Sequence, residues 1–534
     1  MTIQVNLCTF LDVSIFFEDR IQDACRKTQR RKLAFAPANA AAAEATQWCH
    51  AQGYEYEQIF VYDKNPGKDF PFPVHPFDAV LENAPDQACI VSGIHNEAIK
   101  KRLISLGIHE EAILECSGAE TSLLSLEKAA AYIETARNHN NEEILARLCG
   151  ENELAIIHSP GFFYDMLDKL AILTKDMNML AIWLDPAARK PCHDEDLGAI
   201  RANFIDIIHF LRSRGTRKNV IFLSLTPAWH LVVPCLVRRM LVDLPIIAYM
   251  YEWLPCHFPS SDPDFFRNIT GQSDEYLAGE REAFNQIISG GIIDGLIYKH
   301  GGKSFRLMDN YPKPSLCFPP CLSRQLYQST PPHQEALKRI VFLGAVPSVD
   351  ENSELYHEAR IIGVFRHLLD QGFTIDVYDP RNSNAQSEFT RYLGHRPGIR
   401  FLPGAPLDTL LPKISGQYGW GFMLFDNTRL NTFKEHVSIA IPAKIFSYLA
   451  LGTPILVTKE HGYSAELVET HKIGMTIASG DIPRLNEILA NAHYETLRAN
   501  VLTFRETMAL EDRKEEFASF IRLISRGTNE AALC

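Results

Sequence analysis

Short runs of β-branched and aliphatic residues alternate with helix-periodic segments along almost the whole of this 534-residue chain. Runs such as Ile-Phe-Val-Tyr at 59–62, Arg-Ile-Val-Phe-Leu at 339–343 and Pro-Ile-Leu-Val at 454–457 carry no polar alternation. Strands of that kind are buried on both faces, which is the condition of a parallel sheet covered by helices. Parallel strands need long crossovers, and the intervening helical segments supply them. The pattern therefore predicts an α/β protein and excludes bundles, sandwiches and antiparallel barrels. A chain of this length exceeds one core and fits about three domains.

Three blocks follow from the order of the runs. In residues 1–148 the pattern predicts strands at 32–36, 59–63 and 88–92, an alanine-rich helix at 38–52 and a helix at 96–106. Strand, helix and a strand ending in Asp63 outline a Rossmann-like domain. Its first turn reads APANAAAAEA, however, and alanine Cβ atoms would keep a pyrophosphate from the backbone. A packing or recognition domain is expected rather than a dinucleotide site. Residues 149–325 predict strands at 154–158, 180–184, 220–224, 245–251 and 295–299. The polar, helix-poor stretch SRQLYQSTPPHQ then serves as a linker. Residues 326–534 predict strands at 339–343, 374–378, 399–402, 420–425 and 454–457, helices at 353–370 and 442–451, and a helical end from about 481. There Phe517, Phe520, Ile521 and Ile524 share one face.

Composition narrows the partners. The net charge of −12 and the lack of a basic run argue against a nucleic-acid partner. No stretch approaches the roughly 18 uncharged apolar residues of a membrane span, which leaves room only for peripheral membrane contact. The apolar start is interrupted by Asp12 and has no basic residue before it, so it makes a poor signal peptide. The twelve cysteines are scattered, and the nearest two, Cys317 and Cys321, lack zinc spacing. The expectation is a reduced, cytoplasmic protein without a metal or an organic cofactor.

The stretch PAKIFSYLALGTPILVTKEHGYSAE, residues 442–466, carries the chemistry. A helix that opens just after a loop points its free N–H groups at the carboxyl edge of the sheet, where doubly wound proteins bind ligands. Lys444 in the first turn is poorly placed for helix stability and well placed for a phosphate. Gly462 opens a second helix with the same capacity. Gly344, after the strand at 339–343, reads either as a plain tight turn or as the place where a diphosphate approaches the backbone. Asp426 and Asn427 follow the strand at 420–425 and are candidates to meet a base or ribose, with Arg429 as a phosphate counter-charge.

On Pro442, Lys444, Phe446, Tyr448, Leu449, Ala450, Gly452, Pro454, Gly462 and Glu466, this stretch resembles the donor-binding segment of glycosyltransferase family 4 and related GT-B enzymes. The resemblance is specific over 338–475 and covers roughly 150–530. It implies a GT-B fold, two Rossmann-like domains facing a cleft, with the extra Rossmann-like domain in front. The first GT-B domain (149–325) would take the acceptor and the second (326–534) the donor, its last helix crossing back. The resemblance also implies transfer of a sugar from a nucleotide sugar to a glycan, lipid-linked or protein acceptor, usually with retention and without a metal. By the same resemblance Pro442, Ser447, Tyr463, Ser464 and Glu466 join the donor site. Ser447 stands where the family commonly has a ribose-binding glutamate, so bidentate acceptance is lost there. A non-catalytic GT-B scaffold and a sugar-nucleotide epimerase are the alternatives.

Two acceptor-side candidates come from the second block. Glu252, beside Trp253 after the strand at 245–251, suits a sugar hydroxyl, and His158 ends the block's first strand. Glu252 reads equally as a structural residue, and a lone histidine such as His158 is more often structural than functional. The turn Lys299-His300-Gly301-Gly302-Lys303 reads as a phosphate contact or as a simple turn. Composition is silent on oligomeric state, on the sugar and on the acceptor.

Overall fold

The computed structural model describes residues 4–6, 32–36, 59–63, 74–76, 87–92, 96–106, 113–116 and 123–135, and most of 139–525. Within the latter span 159–169, 215–219, 227–230, 251–273, 345–356, 380–391 and a few shorter stretches are excepted. The chain packs as two compact units. One comprises Met1–Ser224, Trp229–Ile246 and Phe266–Ile287, the other Leu225–Ala228, Ile247–Phe265 and Ile288–Cys534.

The first unit opens with a small antiparallel pair, β1 (Gln4–Asn6) with β7 (Leu123–Ser125). Next comes a five-stranded parallel sheet of β2 (Lys32–Ala36), β3 (Ile59–Asp63), β4 (Val74–Pro76), β5 (Gln87–Ser92) and β6 (Ile113–Cys116), in the order β4-β3-β2-β5-β6. Chain order reverses at β2, which is the doubly wound arrangement expected of the first block. The predicted helix at 38–52 and the alanine-rich turn before it lie outside the described residues. The helix predicted at 96–106 is Asn96–Ser105.

The same unit holds β8 (Glu153–His158), β9 (Met179–Leu184), β10 (Cys192–Asp194), β11 (Ala199–Ala202) and β12 (Val220–Thr226) as far as Ser224, paired in the order β10-β11-β9-β8-β12. β10 runs antiparallel to β11, a departure from the uniform parallel pattern. The reversal uses Gly198 at φ +60°, in a polar turn too short for a helical crossover. The helix Phe204–Ser213 is capped by Asn203, whose Oδ1 accepts from the Asp206 N–H at 2.9 Å. The apolar region from 231 folds as a buried helix, Val232–Met240, and the buried strand β13 (Ile246–Met250).

In the second unit β13, β14 (Gly295–Tyr298) and β15 (Ser315–Cys317) pair in parallel. Its main sheet is made of β16 (Arg339–Leu343), β17 (Thr374–Asp379), β18 (Ile399–Pro403), β19 (Trp420–Met423), β20 (Ile455–Thr458) and β21 (Gly474–Ile477). All pairings are parallel, in the order β18-β17-β16-β19-β20-β21. Chain order reverses between β16 and β19, so the crevice beyond their carboxyl ends is the topological switch point where such sheets bind ligands. β21 was not anticipated, because four residues following Ile473 give too short an apolar run to read.

The helix Lys444–Leu451 packs beneath this crevice and stops at Gly452 in the left-handed region. Tyr448 on that helix is fully buried; its hydroxyl donates to the Phe422 carbonyl at 3.0 Å and accepts from the Leu343 N–H at 3.3 Å. One side chain thereby ties the two switch-point strands together. The linker stretch is anchored rather than loose: Ser323 Oγ donates to Glu511 at 2.5 Å and Arg324 to Glu506 at 3.0 Å. Along the last helix, Leu510–Ser525, the residues Phe517, Phe520, Ile521 and Ile524 are buried. A Cβ on Gly295 would meet Ile524 at 2.9 Å, which places the helix against the start of β14.

Candidate functional site

The residues at the switch point come from several segments of the second unit. Gly344 leaves β16 at φ +121°, its N–H donating to the Tyr378 carbonyl at 3.0 Å. A Cβ there would lie 3.8 Å from Lys444 Cε, so the fold brings these two predicted residues together. The Lys444 ammonium stands 3.9 Å from the Phe342 ring centroid and 5.7 Å from that of Phe425. It has no carboxylate partner among the described residues, and the positive end of its own helix disfavours a cation. Burial first, then the nearby Arg360 charge, lowers its pKa to about 7.

Arg360 was not anticipated by sequence reasoning. The described part of the predicted 353–370 helix begins as a π-helical turn, Ala359–Gly363, before the α-helix Val364–Asp370. The wide turn re-aims a side chain that α-helical spacing would direct elsewhere. The Arg360 guanidinium lies 4.7 Å from the Phe425 centroid, and its Nε donates to Asn427 Oδ1 at 3.0 Å. Asn427 Nδ2 donates to Thr458 Oγ1 at 3.4 Å, so the amide is occupied in orienting Arg360. Asp426 is spent locally, accepting from the Thr428 N–H at 3.0 Å and the Thr428 hydroxyl at 2.6 Å. Arg429 is exposed and hydrogen-bonded to His357.

A cavity of about 210 Å³ opens beside the Lys444 helix, lined by Lys299, Arg360, His436, Pro442 and His461 among others. Among the described residues no carboxylate lines it. Lys299 and His300 are fully buried at the end of β14, and the Gly301 N–H donates to the Ile439 carbonyl at 3.3 Å. Cβ atoms on Gly301 and Gly302 would meet Tyr463 at 2.8 and 2.9 Å, so the glycines of this turn let it press against the start of the Gly462–His471 helix. Tyr463 is thus a packing contact for the turn. Gly462 is crowded, since a Cβ there would fall 2.0 Å from the Ser438 carbonyl oxygen. Ser464 is buried and donates to the Ala440 carbonyl at 2.8 Å. Glu466 is partly buried on the same helix, and Ser447 is buried at mid-helix.

The remaining candidates fall elsewhere. His158 ends β8 in the first unit, buried, with Nδ1 3.1 Å from Ser224 Oγ; burial lowers its pKa to about 4. Glu252 and Trp253 lie outside the described residues, as does Lys303. No group of three or more His, Cys, Asp or Glu residues able to hold a metal occurs among the described residues. No helix among them is long and apolar enough to cross a membrane.

The sheet of the second unit is doubly wound, and Lys299, Arg360, His436 and His461 line a cavity at the switch point, the place where such sheets bind ligands. Residues 369–510 match the family model described as glucosyltransferase 3-like, C-terminal domain. The match takes in Asp426, Asn427, the Lys444 helix and the Gly462 helix, so this part of the chain is a glycosyltransferase domain. No curated protein matches the chain. Among solved structures, the chain is similar to an α,α-trehalose-phosphate synthase (UDP-forming) from Burkholderia vietnamiensis, at 10% identity and TM-score 0.46, over 72% of this chain and 99% of that one. It is also similar to Os79 from O. sativa in complex with UDP, at 9% identity and TM-score 0.42, over 68% of this chain and 99% of that one. A UDP-glucose:anthocyanidin 3-O-glucosyltransferase in complex with UDP matches at 12% identity and TM-score 0.39, over 71% and 100%. Likeness at this level carries no argument about donor or acceptor.

Proposed function

We propose that the chain transfers a sugar from a nucleoside-diphosphate sugar to a glycan or glycoconjugate acceptor. Its donor diphosphate would lie between Lys444, Arg360 and the start of the Lys444 helix. The observation that carries the reading is the Lys444 ammonium, which has no carboxylate partner among the described residues and lies near enough to Arg360 for that charge to lower its pKa. A diphosphate brought to this point would offset the burial and the like charge that disfavour the Lys444 ammonium. As the sugar leaves, charge accumulates on the bridging and β-phosphate oxygens. Fixed cations and helix N–H groups aimed at those oxygens stabilise the transition state more than the ground state. Gly344 leaves the backbone at the end of β16 uncovered for the same group.

Transfer with retention and without a metal belongs to this proposal. Two Asp-x-Asp triplets are present in the sequence, at 194–196 and 262–264. Asp194 of the first lies on β10, 3.8 Å from Arg201, and the second is outside the described residues. The test is release of nucleoside diphosphate from a panel of UDP-, GDP- and ADP-sugars, with and without glycan acceptors, in EDTA and in manganese. Acceptor-dependent release in EDTA supports the full reading. Donor conversion without acceptor would make the protein an epimerase, and the absence of any turnover would leave a scaffold.

A further inference from the structure

His461 follows β20 through the short turn Lys459–His461 and caps the Gly462–His471 helix. It is 4% exposed, lines the cavity, and its ring lies tilted against that of Phe425, centroids 5.4 Å apart. Neither of its ring nitrogens has a hydrogen-bond partner among the described residues. Its neighbours are satisfied, Ser464 on Ala440 and Asn427 on Arg360 and Thr458. A buried polar ring left without partners is costly, and at a ligand cavity the ligand is the natural partner.

The protonation state says which part of a ligand this is. Burial, and then the charges of Arg360, Lys444 and His436, hold the imidazole pKa well below its ordinary value, so the ring is uncharged near neutrality. A neutral imidazole offers one donor and one acceptor. A phosphate oxygen is an acceptor only and is better served by the two cations. A sugar hydroxyl both donates and accepts, which matches the ring.

We propose that His461 hydrogen-bonds a hydroxyl of the donor's sugar and so discriminates among donors by hydroxyl configuration. This rests on the donor reading above. The experiment is calorimetric titration of UDP, of UDP-glucose and of its 2-, 3- and 4-deoxy analogues into wild type, His461→Ala and His461→Asn. The expected result is UDP binding within about twofold in all three proteins. UDP-glucose should bind about tenfold more weakly to the alanine variant, with partial recovery in the asparagine variant. One deoxy analogue should bind weakly to wild type and lose no further affinity in His461→Ala, the signature of a direct pair. If the alanine variant does not fold, the deoxy series on wild type and His461→Asn carries the test. Equal weakening of UDP and UDP-glucose would make His461 a loop-holding residue and overturn the proposal, as would unchanged UDP-glucose binding. If wild type binds neither UDP nor UDP-glucose, the series is repeated with GDP- and ADP-sugars, and binding of none of them would overturn the donor reading and this inference with it.

Discussion

The Lys444 ammonium sits 3.9 Å from the centroid of the ring of Phe342, the penultimate residue of the strand that leads into Gly344. A cation held over an aromatic face, without a carboxylate among the described residues, is retained by the ring's quadrupole and disfavoured by burial. Its pKa near 7 has a direct consequence for donor binding. A bound diphosphate favours the charged form, so the pKa is higher in the complex than in the free protein. Affinity should be greatest below pH 7 and fall as pH rises between those two values. A sugar-esterified diphosphate has no group titrating there, so the effect belongs to the protein. Titration at pH 8 in buffers of different ionisation heat should show proton uptake, absent in Lys444→Met.

Asn427 acts on the site through Arg360, whose Nε it accepts at 3.0 Å. Asn427→Ala should leave the guanidinium less well aimed and weaken nucleotide-sugar binding by about three- to tenfold, at a cost of about 1 kcal/mol. Asn427→Asp keeps an acceptor and places a charge near the diphosphate, so it should weaken binding more than alanine does. If aspartate proved the milder change, Asn427 would have no role in holding Arg360 for an anion.

Tyr448 joins β16 and β19 through one hydroxyl. Tyr448→Phe preserves the ring and strips a backbone donor and a backbone acceptor of their partner. Loss of about 1–3 kcal/mol in urea unfolding is expected, with donor affinity nearly unchanged.

Asp206 in the first unit accepts from Asn141 at 2.8 Å and from Asn203 at 2.7 Å, yet burial raises its pKa to about 6. The folded chain holds this proton more tightly than the unfolded one, where an aspartate titrates near 3.9. Its contribution to stability is therefore full below the unfolded value, lost as pH rises through 6, and a penalty above. Asp206→Asn keeps an acceptor for both amides and removes that penalty. The variant should melt higher than wild type at pH 7.5, by roughly 1–3 kcal/mol, and the difference should vanish near pH 4. Melting curves across that range decide it.

The doubly wound sheet of the third block was legible because its strands are buried on both faces and read as unbroken apolar runs, as 339–343 does. The Lys444 helix was legible through its start after a loop and its stop at Gly452. What the residues could not show is how side chains divide their hydrogen bonds. Asp426 and Asn427 were expected to meet a base or ribose, and the fold engages one with Thr428 and the other with Arg360. Arg360 itself carries no sequence signal, because its direction depends on a π-helical turn that periodicity reads as α-helix. His461 lay within the motif stretch, but only its burial without partners distinguishes it from an ordinary capping residue.

The most direct test is calorimetric titration of UDP-glucose, alongside GDP- and ADP-sugars, into wild type and Lys444→Ala at pH 6.5. The account predicts saturable binding of one nucleotide class by wild type, weakened about tenfold or more in the variant, whose fold is unchanged. Equal affinity in the two proteins, or binding of no nucleotide sugar to wild type, would contradict a donor diphosphate seated at Lys444.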